Sequence, residues 1–349
     1  MNFIDMIDTC LSNKALLLSV ILICGVIFVN GWTDAPNAIT ASVSTGALKI
    51  RQAVIIAAIF NFLGALIMGM TNTSVIESVG NITMMIGTGE HALTVLCAAL
   101  MSIIIWAVLA WFFGIPTSES HALISGILGA VIACGTNITQ SGLYALKLAA
   151  YGLFISLPIG SLLGWIFGKI AENIAFNAKS HKKEKIFKTG EVLGAAAMSF
   201  MHGAQDSQKF AGVFVAAVIM SGINGKGTDV SNAPIWLVTI CSMIIALGTS
   251  VGGYRIIKKV GLDTVSLTPA RGFAADLAAV TCMLAASLGG IPVSTTHTAT
   301  SAVIGAGLAG YPRKINVRSI KEMLTAWILT FPCCGIISFI MVKIFLLFL

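Results

Sequence analysis

The chain has 349 residues, of which 57% are hydrophobic and only 10% are charged. Because soluble domains carry about 25% charged residues, this composition excludes a soluble fold and indicates a polytopic protein of the lipid bilayer. The formal net charge of +7 would suit a nucleic acid, but its distribution along the chain follows membrane topology, so we expect no nucleic-acid partner.

Ten apolar segments follow one another along the chain, five on either side of a polar stretch. About 20 helical residues cross a bilayer, so we expect an all-α fold with ten crossings. The predicted crossings lie at about 15–48, 52–71, 91–112, 113–133, 148–170, 191–222, 234–253, 273–290, 291–310 and 322–349. They predict a first transmembrane repeat at 1–170, a basic cytoplasmic linker at 171–190 and a second repeat at 191–349.

The positions of Lys and Arg predict the orientation of these segments. With the linker in the cytoplasm, the loops at 49–51, 169–188, 254–271 and 313–321 also lie inside and hold 16 of the 21 Lys and Arg, in agreement with the positive-inside rule. Five crossings is an odd number, so the second repeat enters from the opposite side. The sequence therefore predicts two inverted-topology repeats, an architecture of many secondary transporters.

Two polar runs interrupt apolar segments at corresponding positions, 30–37 (NGWTDAPN) and 202–209 (HGAQDSQK). An ionised Asp at the centre of a membrane helix costs about 2.5–3.5 kcal/mol even on a lenient scale, so each run must provide partners for its Asp. Backbone carbonyls freed at the glycines, together with nearby side-chain amides, supply oxygen ligands suited to a hard monovalent cation. Alternatively, helix–helix hydrogen bonds or pairing with Lys209 would satisfy the acids. The predicted cation ligands are Asn30, Asp34, Asn37, Gln205, Asp206 and Asp276, the last with Arg271 as an alternative partner.

The pattern Gly-Ile-Pro-x-Ser-x-x-His occurs at 114–121 and again at 290–297. Pro at the start of a helix leaves free N–H groups on the next turn, and hydroxyls and the helix dipole add to an anion site. Breaks of this kind are costly in lipid unless they line a cavity, and two in corresponding positions indicate a transporter's substrate site. We expect broken or re-entrant helices whose tips face each other around a tetrahedral oxyanion. The alternative is that the hydroxyls only cap the helices and bind no anion. The predicted anion ligands are Thr117, Ser118, Ser120, Ser294, Thr295 and Thr296, with His121 and His297 as donors or proton carriers.

At these residues the chain resembles the inorganic phosphate transporter (PiT) family of cation-coupled phosphate permeases. The family signature, Gly-x-x-Asp-x-x-Asn followed by a Ser/Gly-rich stretch, appears at 31–37 and 41–48, and the second run and the Gly-Ile-Pro segments also match. The resemblance implies an inverted-repeat fold, usually a homodimer, with inorganic phosphate between the broken helices. It implies sodium or protons as the coupling ion and no other cofactor. It assigns cations to Asp34, Asn37 and Asp206, and phosphate to the hydroxyls named above.

The chain departs from the family pattern at three places. Gln208-Lys209 stands where members more often have a small residue and Asn, Asn61 where many have Glu, and Asp276 where Glu is common. These departures leave open the number and identity of the coupled cations. The short linker resembles that of prokaryotic members, and we expect a multi-pass protein of the plasma membrane.

The function expected from these features is import of inorganic phosphate by cation symport and alternating access. A permease for another tetrahedral oxyanion such as sulfate is an alternative, but sulfate cannot donate a hydrogen bond and carboxylate acceptors would disfavour it. A passive anion channel is a second alternative, which needs no pair of acids in the membrane. We do not expect an enzyme, because no nucleophile–base spacing or metal-ligand motif is present.

Overall fold

The computed structural model describes residues 3–115, 117–136, 138–176, 181–222, 233–258, 265–310 and 316–348, and only the backbone of residues 176 and 181–184. These residues form an all-α fold, as expected. The helices are α1 (Phe3–Ser12), α2 (Lys14–Thr33), α3 (Thr40–Ser44), α4 (Ile50–Thr71), α5 (Ser74–Thr83), α6 (Glu90–Phe112), α7 (Glu119–Cys134), α8 (Gln140–Phe176), α9 (His181–Met220), α10 (Ile235–Val251), α11 (Tyr254–Ile257), α12 (Pro269–Leu288), α13 (Thr295–Leu308) and α14 (Val317–Phe348), with short 3₁₀ helices at Ala35–Ile39 and Met84–Ile86.

Six spans within the described residues are long and apolar enough to cross a bilayer. Large apolar side chains such as Ile55, Phe154 and Ile328 remain exposed on them, as is typical of surfaces that face lipid. The chain is therefore a multi-pass membrane protein. The spans are Lys14–Ser44, Ile50–Thr71, Glu90–Phe112, Gln140–Ala175, Pro269–Leu288 and Val317–Phe348.

The Gly-Ile-Pro segments form short helices. α7 has 16 residues and α13 has 14, about 24 and 21 Å at 1.5 Å per residue, which is less than the roughly 30 Å hydrocarbon core. Gly114 and Gly290 both have φ +66°, a left-handed conformation that favours glycine, and the chain turns so that α7 packs on α6 and α13 on α12; Pro116 lies outside the described residues. Broken helices at these motifs are confirmed, but neither segment forms a full crossing by itself.

The two polar runs differ in their backbone. α2 ends at Thr33, and a 3₁₀ helix follows it, because Pro36 has no N–H to donate and cannot continue an α-helix. In the second run the matching residue is Gln208, and α9 continues unbroken from His181 to Met220. The first acid therefore lies at a helix end and the second lies inside a helix.

Gly31 and Gly203 allow close packing between helices. A Cβ on Gly31 would collide with the backbone of Ile245 in α10, and one on Gly203 with the backbone of Asn61 in α4. Small residues of this kind let membrane helices approach each other. Both glycines lie within helices, so their role differs from the expected freeing of backbone oxygens.

Helix α5, like α1 and α11, falls in a stretch where the apolar pattern predicts no element. α5 has ten residues, buries Val75, Ile76 and Val79, and leaves Glu77 exposed. It packs on α8 and α9. A search for membrane crossings looks for about 20 apolar residues in a row, so it does not detect a helix of ten residues.

Helices from the two predicted repeats pack on one another in matched pairs. α4 packs on α9 and α10 on α2, while α7 packs on α14 and α13 on α8. This interleaving brings both polar runs and both short helices to the interior. The repeat boundaries and the inverted orientation of the repeats stay predictions.

Candidate functional site

The N-terminal tips of α7 and α13 meet inside the protein. Ser118 caps α7 by accepting a hydrogen bond from the His121 N–H at 3.3 Å, and Ser294 caps α13 by accepting one from the His297 N–H at 3.2 Å. The Oγ atoms of the two serines lie 2.7 Å apart and both side chains are fully buried. Two helix N-termini are thus brought together at one point.

Hydroxyl groups of the α13 tip reach both acids of the polar runs. Thr296 Oγ1 donates to Asp34 Oδ1, and Thr295 Oγ1 donates to Asp206 Oδ2 at 3.2 Å. The predicted anion ligands and the predicted cation ligands are therefore in direct contact. They form one buried site, not two separate sites.

Asp34 uses only one of its carboxylate oxygens. Asn37 Nδ2 donates to Asp34 Oδ1 at 3.1 Å and to the Asp34 backbone carbonyl at 3.0 Å. Asp34 Oδ2 is buried and has no hydrogen-bond partner among the described residues, and the same is true of the side-chain carbonyl oxygens of Asn30 and Asn37. Three buried oxygens in this run are therefore available to a ligand.

Both oxygens of Asp206 have partners. Lys209 Nζ lies 2.6 Å from Oδ1, and Asn30 Nδ2 donates to Oδ2 at 3.1 Å. His202 Nε2 lies 3.3 Å from the same Oδ2, which also accepts from Thr295. The second acid is saturated by groups from both predicted repeats.

Lys209 is buried, with 2% of its surface exposed. Its ammonium group contacts Asp206 Oδ1 at 2.6 Å, Ser120 Oγ at 2.7 Å and the Val293 carbonyl at 2.6 Å. A lysine ammonium has three N–H donors, so every donor has one acceptor. Pairing with Lys209 is one of the ways in which the sequence could satisfy the acids, and in the structure the ammonium group pairs with Asp206.

His202 joins the site through Asn61. Thr249 donates its hydroxyl to the Ile245 carbonyl and so accepts from Asn61 Nδ2 at 2.9 Å. Asn61 Oδ1, which can only accept, therefore faces His202 Nδ1 at 3.0 Å and makes that nitrogen the donor. One ligand atom each of Asp34, His202 and Asp206 lies within 4.8 Å of the others.

The rings of the two predicted histidines pack against each other behind the tips, tilted by 43°. The rings of His121 and His297 lie 4.2 Å apart between centroids, with Phe331 packed edge-on against His121 and Trp327 against His297. Neither ring nitrogen of His297 has a hydrogen-bond partner within the described residues, nor does Nδ1 of His121. A direct role in binding stays a prediction.

Three other predicted ligands lie at the edge of the site or outside it. Thr117 is buried beside the α7 tip, and Gln205 donates to Ser287 Oγ in α12 at 2.8 Å. Asp276 lies against Gly194, twelve residues and hence about 18 Å along α9 from Asp206. Arg271, its alternative partner, instead pairs with Glu172 at 2.8 Å.

Sequence reasoning missed some residues that touch the site. Thr33 donates to Glu119 Oε1, which brings a further buried acid to the α7 tip, and His202 and Asn61 were not among the predicted ligands. The alignment of 30–37 with 202–209 pairs His202 with Asn30, a predicted ligand, and could therefore have indicated His202 as a residue of the site. The contact between Thr33 and Glu119 has no signal in the sequence.

The chain is similar to phosphate transporters in sequence and in fold. A model of the phosphate transporter family matches residues 30–338. The "Probable low-affinity inorganic phosphate transporter" of Bacillus subtilis (strain 168) is 36% identical over 324 residues, covering 91% of this chain and 93% of the relative. The protein of the same name from Rhizobium meliloti (strain 1021) is 35% identical over 311 residues, covering 89% and 90%. A solved structure named "The sodium-dependent phosphate transporter" has the same fold, with a TM-score of 0.80 and 22% identity over 96% of this chain and 100% of that chain.

Proposed function

Because the chain belongs to the phosphate transporter family, we propose that it imports inorganic phosphate together with a cation by alternating access. The family and the relatives are transporters, so the chain is a transporter and not an enzyme. The resemblance drawn from the motifs is thereby confirmed. The proposed location is the plasma membrane of a prokaryotic cell, and the homodimer implied by the resemblance stays a prediction.

The observation that carries the proposal is the direct contact between the helix tips and the acids, through Thr295 and Thr296. An anion held at the tips and a cation held at the acids would share these hydroxyls. Occupation of one position then changes the hydrogen bonds available to the other. This is the local coupling that a symporter needs.

The anion position proposed lies between the N-termini of α7 and α13. The first turn of a helix has unsatisfied N–H groups, and each terminus carries roughly half a positive charge. The N–H groups of His121 and His297 already donate to Ser118 and Ser294. Two such termini that meet suit a tetrahedral oxyanion, and phosphate is the one that the family transports.

The cation position proposed lies at Asp34. Its free carboxylate oxygen and the carbonyl oxygens of Asn30 and Asn37 are hard ligands suited to a monovalent ion. The orientation of His202 adds support, since a neutral ring that donates through Nδ1 presents its Nε2 lone pair to Asp206. A cation nearby would relieve that repulsion. Because the solved structure with this fold is that of a sodium-dependent transporter, sodium is the first ion to test, with protons as the alternative.

The membrane potential supports coupling to cations. Each charge that crosses is worth about 2.3 kcal/mol per 100 mV, so a divalent phosphate entering a negative interior is opposed by roughly 4.6 kcal/mol. At least two positive charges, as metal ions or protons, must accompany it. A passive channel offers no such compensation.

Uptake into reconstituted vesicles tests the proposal. Full-length protein in lipid vesicles is given labelled phosphate with a sodium gradient or a proton gradient imposed separately. We expect accumulation above equilibrium with at least one of them. Phosphate flux that equilibrates without dependence on either gradient would identify a channel and exclude symport.

A further inference from the structure

We propose that the ammonium group of Lys209 is a built-in cation, which fills the ion position of the second polar run and replaces one of the two cations that two equivalent acids would otherwise take from solution. This inference rests on the proposed function, and it concerns how many cations accompany each phosphate.

Lys209 occupies the position that Asn37 occupies in the first run. Asn37 Nδ2 contacts Asp34 Oδ1 at 3.1 Å and Thr296 Oγ1 at 3.3 Å. Lys209 Nζ contacts Asp206 Oδ1 at 2.6 Å and Ser120 Oγ at 2.7 Å. Ser120 and Thr296 are themselves corresponding residues of the two Gly-Ile-Pro copies. The same set of groups thus surrounds a neutral amide in one run and a positive charge in the other.

The surroundings of this ammonium are those of a bound monovalent cation. Its three neighbours are a carboxylate, a hydroxyl and the Val293 backbone carbonyl, all oxygen ligands. Lysine is almost never fully buried unless it is paired, and here the pairing uses every N–H donor. Asp206 accepts two further hydrogen bonds on its other oxygen, from Asn30 and Thr295, so both of its oxygens already have donors.

The first run has the complementary property. Asp34 Oδ2, Asn30 Oδ1 and Asn37 Oδ1 are buried and have no partner within the described residues. Among the described residues no lysine ammonium hydrogen-bonds these oxygens, since Asn37 takes the place of Lys209. The difference between the two runs therefore predicts one position for a cation from solution and one position filled by the chain.

The consequence is a lower cation requirement. One cation from solution, sodium or a proton at the Asp34 position, accompanies each phosphate, and the second positive charge arrives as a proton on phosphate itself, as H₂PO₄⁻. The free carboxylate oxygen of Asp34 accepts a hydrogen bond from a protonated oxyanion, which favours this form. The monovalent cation and monovalent phosphate then move together without net charge.

Phosphate binding at varied sodium tests the inference. Calorimetry on the purified full-length protein, at fixed pH with choline replacing sodium, gives the slope of log Kd against log sodium concentration, and a second series varies pH at fixed sodium. In Lys209→Asn, which copies the first run, we expect the slope in one of the two series to steepen by about one. In Asn37→Lys, which copies the second run, we expect the slope of log Kd in that series to become shallower by about one. Unchanged slopes in both variants overturn the inference.

The wild-type protein provides a measurement that does not depend on folded variants. Simultaneous uptake of labelled sodium and labelled phosphate is expected to give at most one sodium per phosphate, and two or more would overturn the inference. These outcomes differ from failure of the proposed function. In that case the wild-type protein would bind no phosphate, or its binding would respond neither to sodium nor to pH.

Discussion

The hydroxyl oxygens of Ser118 and Ser294 lie 2.7 Å apart, although the residues are 176 positions apart in the chain. Each serine caps a short helix that begins after a broken segment, so the contact joins the N-termini of α7 and α13. An anion held beside this contact would touch both predicted repeats at once.

We expect Ser118→Ala and Ser294→Ala each to weaken phosphate binding by about 10- to 100-fold, since a hydrogen bond to a charged group contributes roughly 1.5–3 kcal/mol. Calorimetry at saturating sodium gives the affinity. Ser125→Ala and Ser301→Ala are matched controls, because these buried serines, farther along the same helices, donate to carbonyls of their own helix. Equal losses in the controls would point to damaged helices and not to a lost ligand.

The free oxygen of Asp34 predicts that Asp34→Asn lowers cation-driven phosphate uptake more than tenfold, equivalent to about 1.4 kcal/mol. The amide keeps the shape of the side chain but removes the charge that attracts the ion. Uptake in vesicles with an imposed sodium or proton gradient measures the effect. Glu77→Gln, which changes an exposed acid of α5, is expected to behave as wild type. Normal coupled uptake in Asp34→Asn contradicts the assignment.

The hydrogen bond from Thr296 to Asp34 predicts a difference between two substitutions. Thr296→Val removes the hydroxyl at nearly constant volume and is expected to weaken the dependence of phosphate binding on the cation. Thr296→Ser keeps the hydroxyl and is expected to restore that dependence. The measured quantity is the ratio of phosphate Kd values at low and high sodium. If both variants show the wild-type ratio, this hydroxyl does not link the two ligands.

The contact of Gly203 with the backbone of Asn61 predicts a loss of stability in Gly203→Ala. Overpacking costs about 1–3 kcal/mol, and here the obstacle is backbone that cannot turn away. Thermal unfolding of the detergent-solubilised protein should show a lower Tm. Gly190→Ala, in the same helix, brings a Cβ only to ordinary contact with Phe273 at 3.4 Å and is the control, expected to keep or raise the Tm. A similar Tm for both variants is the result that opposes the close-packing role.

The carboxylates at the site predict selectivity among oxyanions. Sulfate has no proton to donate to the free oxygen of Asp34, whereas phosphate and arsenate carry at least one near neutral pH. Labelled phosphate uptake is therefore expected to be inhibited by excess arsenate and little affected by the same excess of sulfate. Equal inhibition by sulfate would favour the broader oxyanion permease.

Much of the site is recognisable from the chain. The Gly-Ile-Pro copies predict two broken helices because Pro lacks an N–H and glycine allows the turn, and both effects are local. The same local rule accounts for the difference between the polar runs, since Pro36 ends α2 and Gln208 leaves α9 intact. Length and apolar content, however, count 113–133 and 291–310 as crossings, because they do not record where a helix begins.

The sequence by itself determined the class of protein, the two pairs of matching motifs and most of the residues at the site, since composition, spacing and backbone chemistry are properties of the chain alone. Only the tertiary structure decided which of these residues meet. Asn30 donates to the acid of the other run, and Lys209 binds the second acid together with Ser120 and the Val293 carbonyl. Asp276, in α12, lies against Gly194, about 18 Å along α9 from Asp206. The physical reason is that these contacts join helices far apart in the chain, and the crossing of those helices depends on packing such as that of Gly203 on Asn61.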